Sequence, residues 1–235
     1  MQIPPRIAMN AESAPNPATV KTTAVRRTTY RGVQRGEQLL STATTLFLEH
    51  GYAGVSVDEI VKQCGGSKTN VYRQFGDKEG LFVAAIEALC KEFLREFNAL
   101  DLAQANLADG LHKLGRALLR QLVQPRHIAF QRLVLAESGR FPRLAQSWFD
   151  AGPKTTQAAI ARFLGPRLSL NDAGLNTAAR HFHDLLVSSP VLLATLGRPL
   201  STRQLTQHLD QAVSLFIQGC QPASTSLVQP SQEST

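Results

Sequence analysis

The stretch Ser67-Lys68-Thr69-Asn70-Val71-Tyr72-Arg73 crowds hydrogen-bonding and cationic side chains into two helical turns, with Lys78 shortly after. Lysine and arginine pair with phosphates or with the O6/N7 edge of guanine. Asparagine matches the N6/N7 edge of adenine, and the threonine methyl packs on that of thymine. Val71 and Phe75 lie four apart and are expected to face inward, which turns Lys68, Thr69, Tyr72 and Arg73 outward. A polar helix face alone is usually only solvated; the elements around it decide its meaning.

Those elements carry their own signals. Ser56-Val57-Asp58-Glu59 fits a capping box that opens a short helix through Ile60 and Val61. Gly65 and Gly66 end it, Ser67 caps a second helix over Lys68 to Phe75, and Asp77 caps another running toward Phe97. Two short helices joined by a glycine-containing turn are a helix-turn-helix, whose second helix enters the DNA major groove by its N-terminal part. Lys78 sits at the positive end of a helix dipole, which is unfavourable until a phosphate reverses the local sign. A preceding helix from about Arg31 to His50 carries Leu39, Leu40, Ala43, Leu46 and Phe47 on one face, with Gly51 at its end.

The charge is lopsided in the same direction. The chain holds 25 Lys+Arg against 18 Asp+Glu. Residues 1–36 contain Arg6, Lys21, Arg26, Arg27, Arg31 and Arg35 against the single acid Glu12. A basic segment suits a polyanion, and Arg26, Arg27, Arg31 and Arg35 are placed to track phosphates or enter the minor groove. Residues 1–30 and 221–235 lack an apolar period and are expected to be a disordered basic arm and a disordered tail.

The segment from Arg35 through Phe82, above all GYAGVSVDEIVKQCGGSKTNVYRQFGDKEGLF, resembles the DNA-binding domain of the tetracycline-repressor (TetR) family. Its matching elements are Phe47, His50-Gly51-Tyr52, Ser56-Val57 with Ile60, Ser67-Lys68 with Val71-Tyr72 and Phe75, and Lys78-Glu79 with Leu81-Phe82. The resemblance implies a homodimeric, ligand-responsive transcription factor, usually a repressor, on a double-stranded palindromic operator. It implies phosphate contacts for Tyr72 and Lys78, and base reading by Lys68, Thr69 and Asn70. Arg31, Arg35, Ser56, Ser67 and Arg73 complete the expected DNA-binding set. One departure is Gly66, where the family usually has an apolar residue. Without a staple against Val71, the recognition helix is expected to be mobile until DNA orders it.

Beyond Phe97 the helical pattern resumes through Leu107, Leu111, Leu114, Leu118 and Leu122 to Pro125, then through Ile128, Phe130, Leu133 and Val134 to Gly139. The stretch RLVLAESGRFPRLAQSWFDAGP resembles the C-terminal domain of AefR-like repressors in the same family, which implies an effector cavity without fixing its ligand. Candidates for its wall are Phe130, Val134, Trp148, Phe149 and Phe163, with His112, Glu137 and His183 as polar handles; each also suits an ordinary core or surface role. Helices from Asn171 (kinked at Pro190) and from Ser201, with its Ser201–Gln204 capping box, complete the chain. Their stripes of Leu175, Ala178, Ala179, Phe182, Leu185 and Leu186, and of Leu205, Leu209, Ala212, Val213, Phe216 and Ile217, would close a monomer core or, as the resemblance implies, pair with a second copy in a four-helix bundle.

The expected class is therefore all-α: a three-helix helix-turn-helix domain over 31–80, then a larger helical effector-binding and dimerisation domain over 81–220. The partners expected are operator DNA, a small-molecule effector of unknown identity and a second copy. No run approaches the length of a membrane span, and no secretory core precedes the first helix. Cys64, Cys90 and Cys220 are scattered as reduced cytoplasmic thiols would be. His181 and His183, two apart, make a poor metal pair, and neither metal nor cofactor is expected. An all-α enzyme finds no phosphate-cradling glycine loop, nucleophile elbow or clustered carboxylates here. Triads are spatial, so that reading stays open, as does a chromosome-organising protein of the same fold.

Overall fold

The structure is a computed structural model, and it describes residues 30–220, all of whose regular elements are α-helices. The expectations for the N-terminal arm and the C-terminal tail lie outside the described residues. In chain order the helices are α1 (Tyr30–His50), α2 (Val57–Cys64), α3 (Lys68–Phe75), α4 (Lys78–Phe93), α5 (Arg95–Asn98), α6 (Leu107–Leu122), α7 (Pro125–Ser138), α8 (Pro142–Ala151), α9 (Pro153–Leu164), α10 (Asp172–Thr195) and α11 (Thr202–Gly219). Pro125, Pro142 and Pro153 each open a helix, where the missing N–H costs nothing. The helix expected from Asp77 to Phe97 is interrupted at Leu94 (φ −91°, ψ 0°), which caps both α4 and α5.

Two apolar clusters hold the molecule together. The first joins Leu39, Ala43, Leu46 and Phe47 of α1 to Ile60, Val71, most of the apolar side of α4, and Phe130, Val134, Phe141 and Leu144 from α7, α8 and the turn between them. The second joins Leu111, Leu114 and Leu118 of α6 to Ile160 and Leu164 of α9, Phe182 and Leu186 of α10, and Leu209, Val213 and Phe216 of α11. The first cluster does not stop at residue 80. It follows α4 into α7 and α8, so α1, α2 and α3 share one core with those two helices.

Two glycines inside α6 show how closely the second cluster is packed. A Cβ on Gly110 would lie 1.9 Å from Phe163 Cζ, and one on Gly115 would lie 2.4 Å from Leu209 Cδ1. Glycine there costs about 1 kcal/mol of helix propensity each against alanine, and close approach of the neighbouring helix is what it allows. Arg167 fastens the loop ahead of α6: its guanidinium donates to the carbonyls of Leu102, Ala105 and Phe163 and lies 4.0 Å over the Phe163 ring.

The last two helices are joined by a polar bond as well. α10 continues through Pro190, which has no N–H to offer the Leu186 carbonyl four residues earlier. His208 of α11 supplies the missing donor, its Nε2 lying 2.8 Å from that oxygen. The capping box expected at Ser201 is present in both directions, Gln204 N–H to Ser201 Oγ and Ser201 N–H to Gln204 Oε1.

Candidate functional site

Helix α3 is short, polar and held at both ends. Ser67 Oγ accepts the Asn70 N–H at 3.3 Å, and Gly76 ends the helix at φ +83°, a left-handed conformation that glycine adopts without a Cβ penalty. Gly65, at φ +67°, makes the corresponding turn out of α2. Val71 is fully buried and Phe75 half-buried, so the inward face is narrow. Lys68, Thr69, Asn70, Tyr72 and Arg73 all lie exposed on the rest of the helix. Several are already engaged with one another or with α2. Lys68 Nζ stands 2.6 Å from Asp58 Oδ1, and Arg73 Nη2 donates to Asn70 Oδ1 at 2.7 Å. Such exposed pairs contribute little to stability; they orient side chains that a phosphate or base edge would compete for.

Ser56 acts as the cap of α2, its Oγ accepting the Glu59 N–H at 3.1 Å, and Asp77 Oδ1 caps α4 through the Gly80 N–H at 2.7 Å. Arg35 is exposed on α1, and Arg31 lies in the first turn of α1, outside the residues whose side chains are described. Lys78 is not loose at the start of α4. Its Nζ lies 4.2 Å over the Tyr52 ring, and desolvation, followed by the nearby Arg140, lowers its pKa. Tyr52 in turn touches Phe82 and Phe141, with ring centroids 5.0 and 4.5 Å away. The ring face and the Asp77 cap offset the unfavourable dipole expected for Lys78. Tyr52 and Arg140 had no assigned role in the sequence; the turn between α7 and α8 that brings them together joins residues far apart in the chain.

The larger region contains a cavity of 310 Å³ between α4, α6, α7, α8, α9 and α10. Phe93, His127, Phe130, Trp148, His183 and Val187 are in its wall, and no lining side chain is a lysine, arginine, aspartate or glutamate. Of the residues expected there, Phe130, Trp148 and His183 line it. The others lie outside this cavity. Val134 belongs to the first core, and Phe163 is packed against Gly110 in the second. Phe149 points to solvent at 44% exposure, and Glu137 is half-buried near the end of α7, away from the cavity. His112 bridges α6 to α11, with Nε2 3.2 Å from Asp210 Oδ1.

Sequence reasoning missed His127. It is 6% exposed, stacked edge-on against Phe93 and Phe130 with centroids 4.7 and 5.5 Å away, and burial lowers its pKa to about 4. Its spacing was the available signal: His127 stands three and four residues before Phe130 and Gln131, on the same face of α7. Cys90 also lines the cavity, its thiol pushed up to about 12 by burial, which makes it a poor nucleophile. Among the described residues, no cluster of His, Cys, Asp or Glu could hold a metal ion, and no helix is long and apolar enough to cross a membrane.

Much of the stripe expected either to close a monomer core or to meet a second copy is taken up within this chain. Phe182, Leu186, Leu209, Val213 and Phe216 are buried within this chain, between 0% and 8% exposed, where they close the second core. Leu175 and Leu205 are half-buried. The outward apolar residues of the same two helices are Leu185, Leu192 and Leu215, at 41%, 57% and 59% exposure. Leu185 and Leu215 flank an open groove of 650 Å³ that also contains Thr177 and His181.

Comparison with known proteins agrees with this geometry. Residues 39–85 match the model of bacterial regulatory proteins of the tetR family, and residues 109–219 match the C-terminal domain of AefR-like transcriptional repressors. An HTH-type transcriptional regulator of Mycobacterium tuberculosis is 34% identical over 110 residues, 47% of this chain and 51% of the relative, so the chain spans about half the length of such curated relatives. The solved structure of the flavonoid-responsive regulator FrrA superposes with a TM-score of 0.70 at 31% identity, covering 82% of this chain and all of that one (100%). A TetR-family transcriptional regulator from Mesorhizobium loti superposes with a TM-score of 0.71 at 26% identity, covering 81% and 98%. TetR-family regulators bind DNA and are not catalysts. With its helix-turn-helix built on α2 and α3 and an AefR-like helical region behind it, this chain belongs to the TetR family of DNA-binding transcriptional regulators.

Proposed function

We propose that the protein is a homodimeric repressor that holds a palindromic operator through α3 and releases it when a small molecule occupies the cavity. The observation that carries this reading is the path of α4. The helix begins at Lys78, beside α3, and ends at Cys90 and Phe93 in the cavity wall. An occupant that moves the end of α4 therefore acts on the element that seats the recognition helix. In a dimer the two α3 helices meet successive major grooves about 34–36 Å apart. An effector that prefers a dimer with a different spacing lowers DNA affinity; full switching from 1:99 to 99:1 takes roughly 5.5 kcal/mol of such preference. The exposed Leu185, Leu192 and Leu215 support the outer face of α10 and α11 as the mating surface. The name of FrrA makes a flavonoid the first effector to try.

The test is fluorescence anisotropy with DNA from the promoter region beside the gene, followed by titration with naringenin. A regulator of this kind binds few promoter-proximal sites, loses affinity steeply with salt and dissociates on effector addition. Broad, sequence-indifferent coverage of the chromosome would instead identify an architectural protein.

A further inference from the structure

The chemistry of the cavity narrows the class of molecule it accepts, provided the cavity is the effector site. A carboxylate or phosphate would find no lysine or arginine in the wall, and an ammonium would find no aspartate or glutamate. Either would give up hydration without a counter-charge wherever it lies against this wall, which costs free energy. The wall is mostly aliphatic and aromatic, with Phe93, Phe130 and Trp148 supplying rings, and its polar side chains, Gln131, Thr156, Ser188, Thr195 and the two histidines, bear no fixed charge of the kind an ion would need.

One polar group there stands apart. Thr156 donates its hydroxyl to the Pro153 carbonyl at 2.7 Å, and Thr195 donates its own to Val191 at 2.8 Å. His183 Nδ1 lies 3.0 Å from Asp184 Oδ1. His127 differs: its Nδ1 is buried with no hydrogen-bond partner, the one side-chain atom in that condition among the described residues. An unpaired buried polar atom costs free energy, and native proteins rarely leave one without a reason. The low pKa keeps the ring neutral. A neutral imidazole offers one donor and one acceptor. A hydroxyl, which both donates and accepts, satisfies it in either tautomer, whereas an ether or carbonyl satisfies only one.

We infer that the cavity takes an uncharged aromatic molecule bearing a hydroxyl group, and that this hydroxyl pairs with the His127 imidazole. The aromatic body lies among Phe93, Phe130 and Trp148, and the hydroxyl replaces the water it loses with an imidazole whose buried Nδ1 has no partner within the fold. His127 is thus a specificity residue, selecting hydroxylated over alkylated and neutral over charged members of one ring series.

Trp148 is the only tryptophan of the chain, so its fluorescence reports on the cavity. The full-length protein is titrated with para-phenylphenol, its methyl ether, biphenyl carboxylate and biphenylmethylammonium at neutral pH, read by Trp148 fluorescence and by calorimetry. The phenol is expected to bind about ten-fold more tightly than the ether, the difference one hydrogen bond makes, and the two ions not measurably. His127→Phe keeps a ring against Phe93 and Phe130 and is expected to bring phenol and ether within about two-fold of each other. Val187→Phe, which fills the cavity from α10, is expected to abolish binding of both and guards against misreading a poorly folded His127 variant. Equal binding of phenol and ether by the native protein, binding of either ion, or an undiminished phenol preference in His127→Phe would overturn the inference, as would no binding by any of the four. DNA release is scored separately. Selective phenol binding that leaves the operator complex intact upholds the cavity chemistry and removes the effector role.

Discussion

Helix α3 keeps Val71 out of solvent and leaves Lys68, Thr69, Asn70, Tyr72 and Arg73 outside, whereas α7 buries His127, Ile128, Phe130, Leu133 and Val134. On α3 the residues that would do the work and the residues that hold the fold are different residues. On α7 they are largely the same. DNA contacts should therefore be separable from stability by mutation, while changes around the cavity should alter ligand response and folding together.

The largest effect is expected where burial is most complete. Phe182→Ala should cost about 3–5 kcal/mol of folding free energy by opening a cavity between α10 and α11, measured by urea denaturation. Loss of a dimer with unchanged unfolding of each subunit would return Phe182 to the interface. Next comes pH. The His127 pKa is about 4 in the fold against an ordinary 6.5, so the unfolded chain binds more protons between those values. Stability should be intact above pH 6.5 and fall by about 3 kcal/mol as pH drops toward 4. Burial alone causes the shift, and His127→Phe should remove this component of the acid slope.

The α3 side of the comparison predicts effects on DNA and not on melting. Asn70→Ala should lose about 1–3 kcal/mol of discrimination at one base pair, and Lys78→Ala should weaken all sequences and lower the salt slope by about one. Asn70→Ala should melt like the native protein, and Lys78→Ala should lose only the modest contribution of its contact with the Tyr52 ring; a large drop in Tm for Asn70→Ala would show that α3 is not the separable element described. Asp58→Ala is the smallest change. It frees Lys68 from an exposed ion pair and should leave thermal unfolding unaltered while raising affinity for DNA measurably at low salt.

The same contrast explains what could be read from the chain. The helix-turn-helix is written in local signals: Ser56, Ser67 and Asp77 each cap the helix expected of them, and glycines end the helices where expected. Even there one detail was finer than the pattern, since the Ser56 hydroxyl caps Glu59 but the reciprocal bond is made at Ser201 and not at Ser56. The cavity is written only faintly in local signals, such as the spacing of His127 to Phe130 and Gln131. Phe130 and Phe163 are the same residue type at similar helical spacing, and only the packing of α6 against α9 decides that one lines the cavity and the other fills a glycine notch. Likewise an apolar stripe states that a helix face must be covered, not whether this chain or another covers it. On α10 and α11 the strongest stripe, with Phe182 and Phe216, is taken by the monomer, and the weaker one with Leu185 and Leu215 is left outside.

The bond from His208 to the carbonyl freed by Pro190 bears on that outer face. Apolar side chains tolerate sliding, because one methyl can replace another along a seam. A hydrogen bond to one particular backbone oxygen does not, so it works as a dowel that stops α11 from shifting along α10. Leu185 and Leu192 on one helix and Leu215 on the other are thereby kept at a set stagger before any second copy arrives. In the proposed dimer the two helices would meet a partner as a single rigid tooth profile, and whatever angle two such profiles adopted would pass to the spacing of the recognition helices without being absorbed by slip between them.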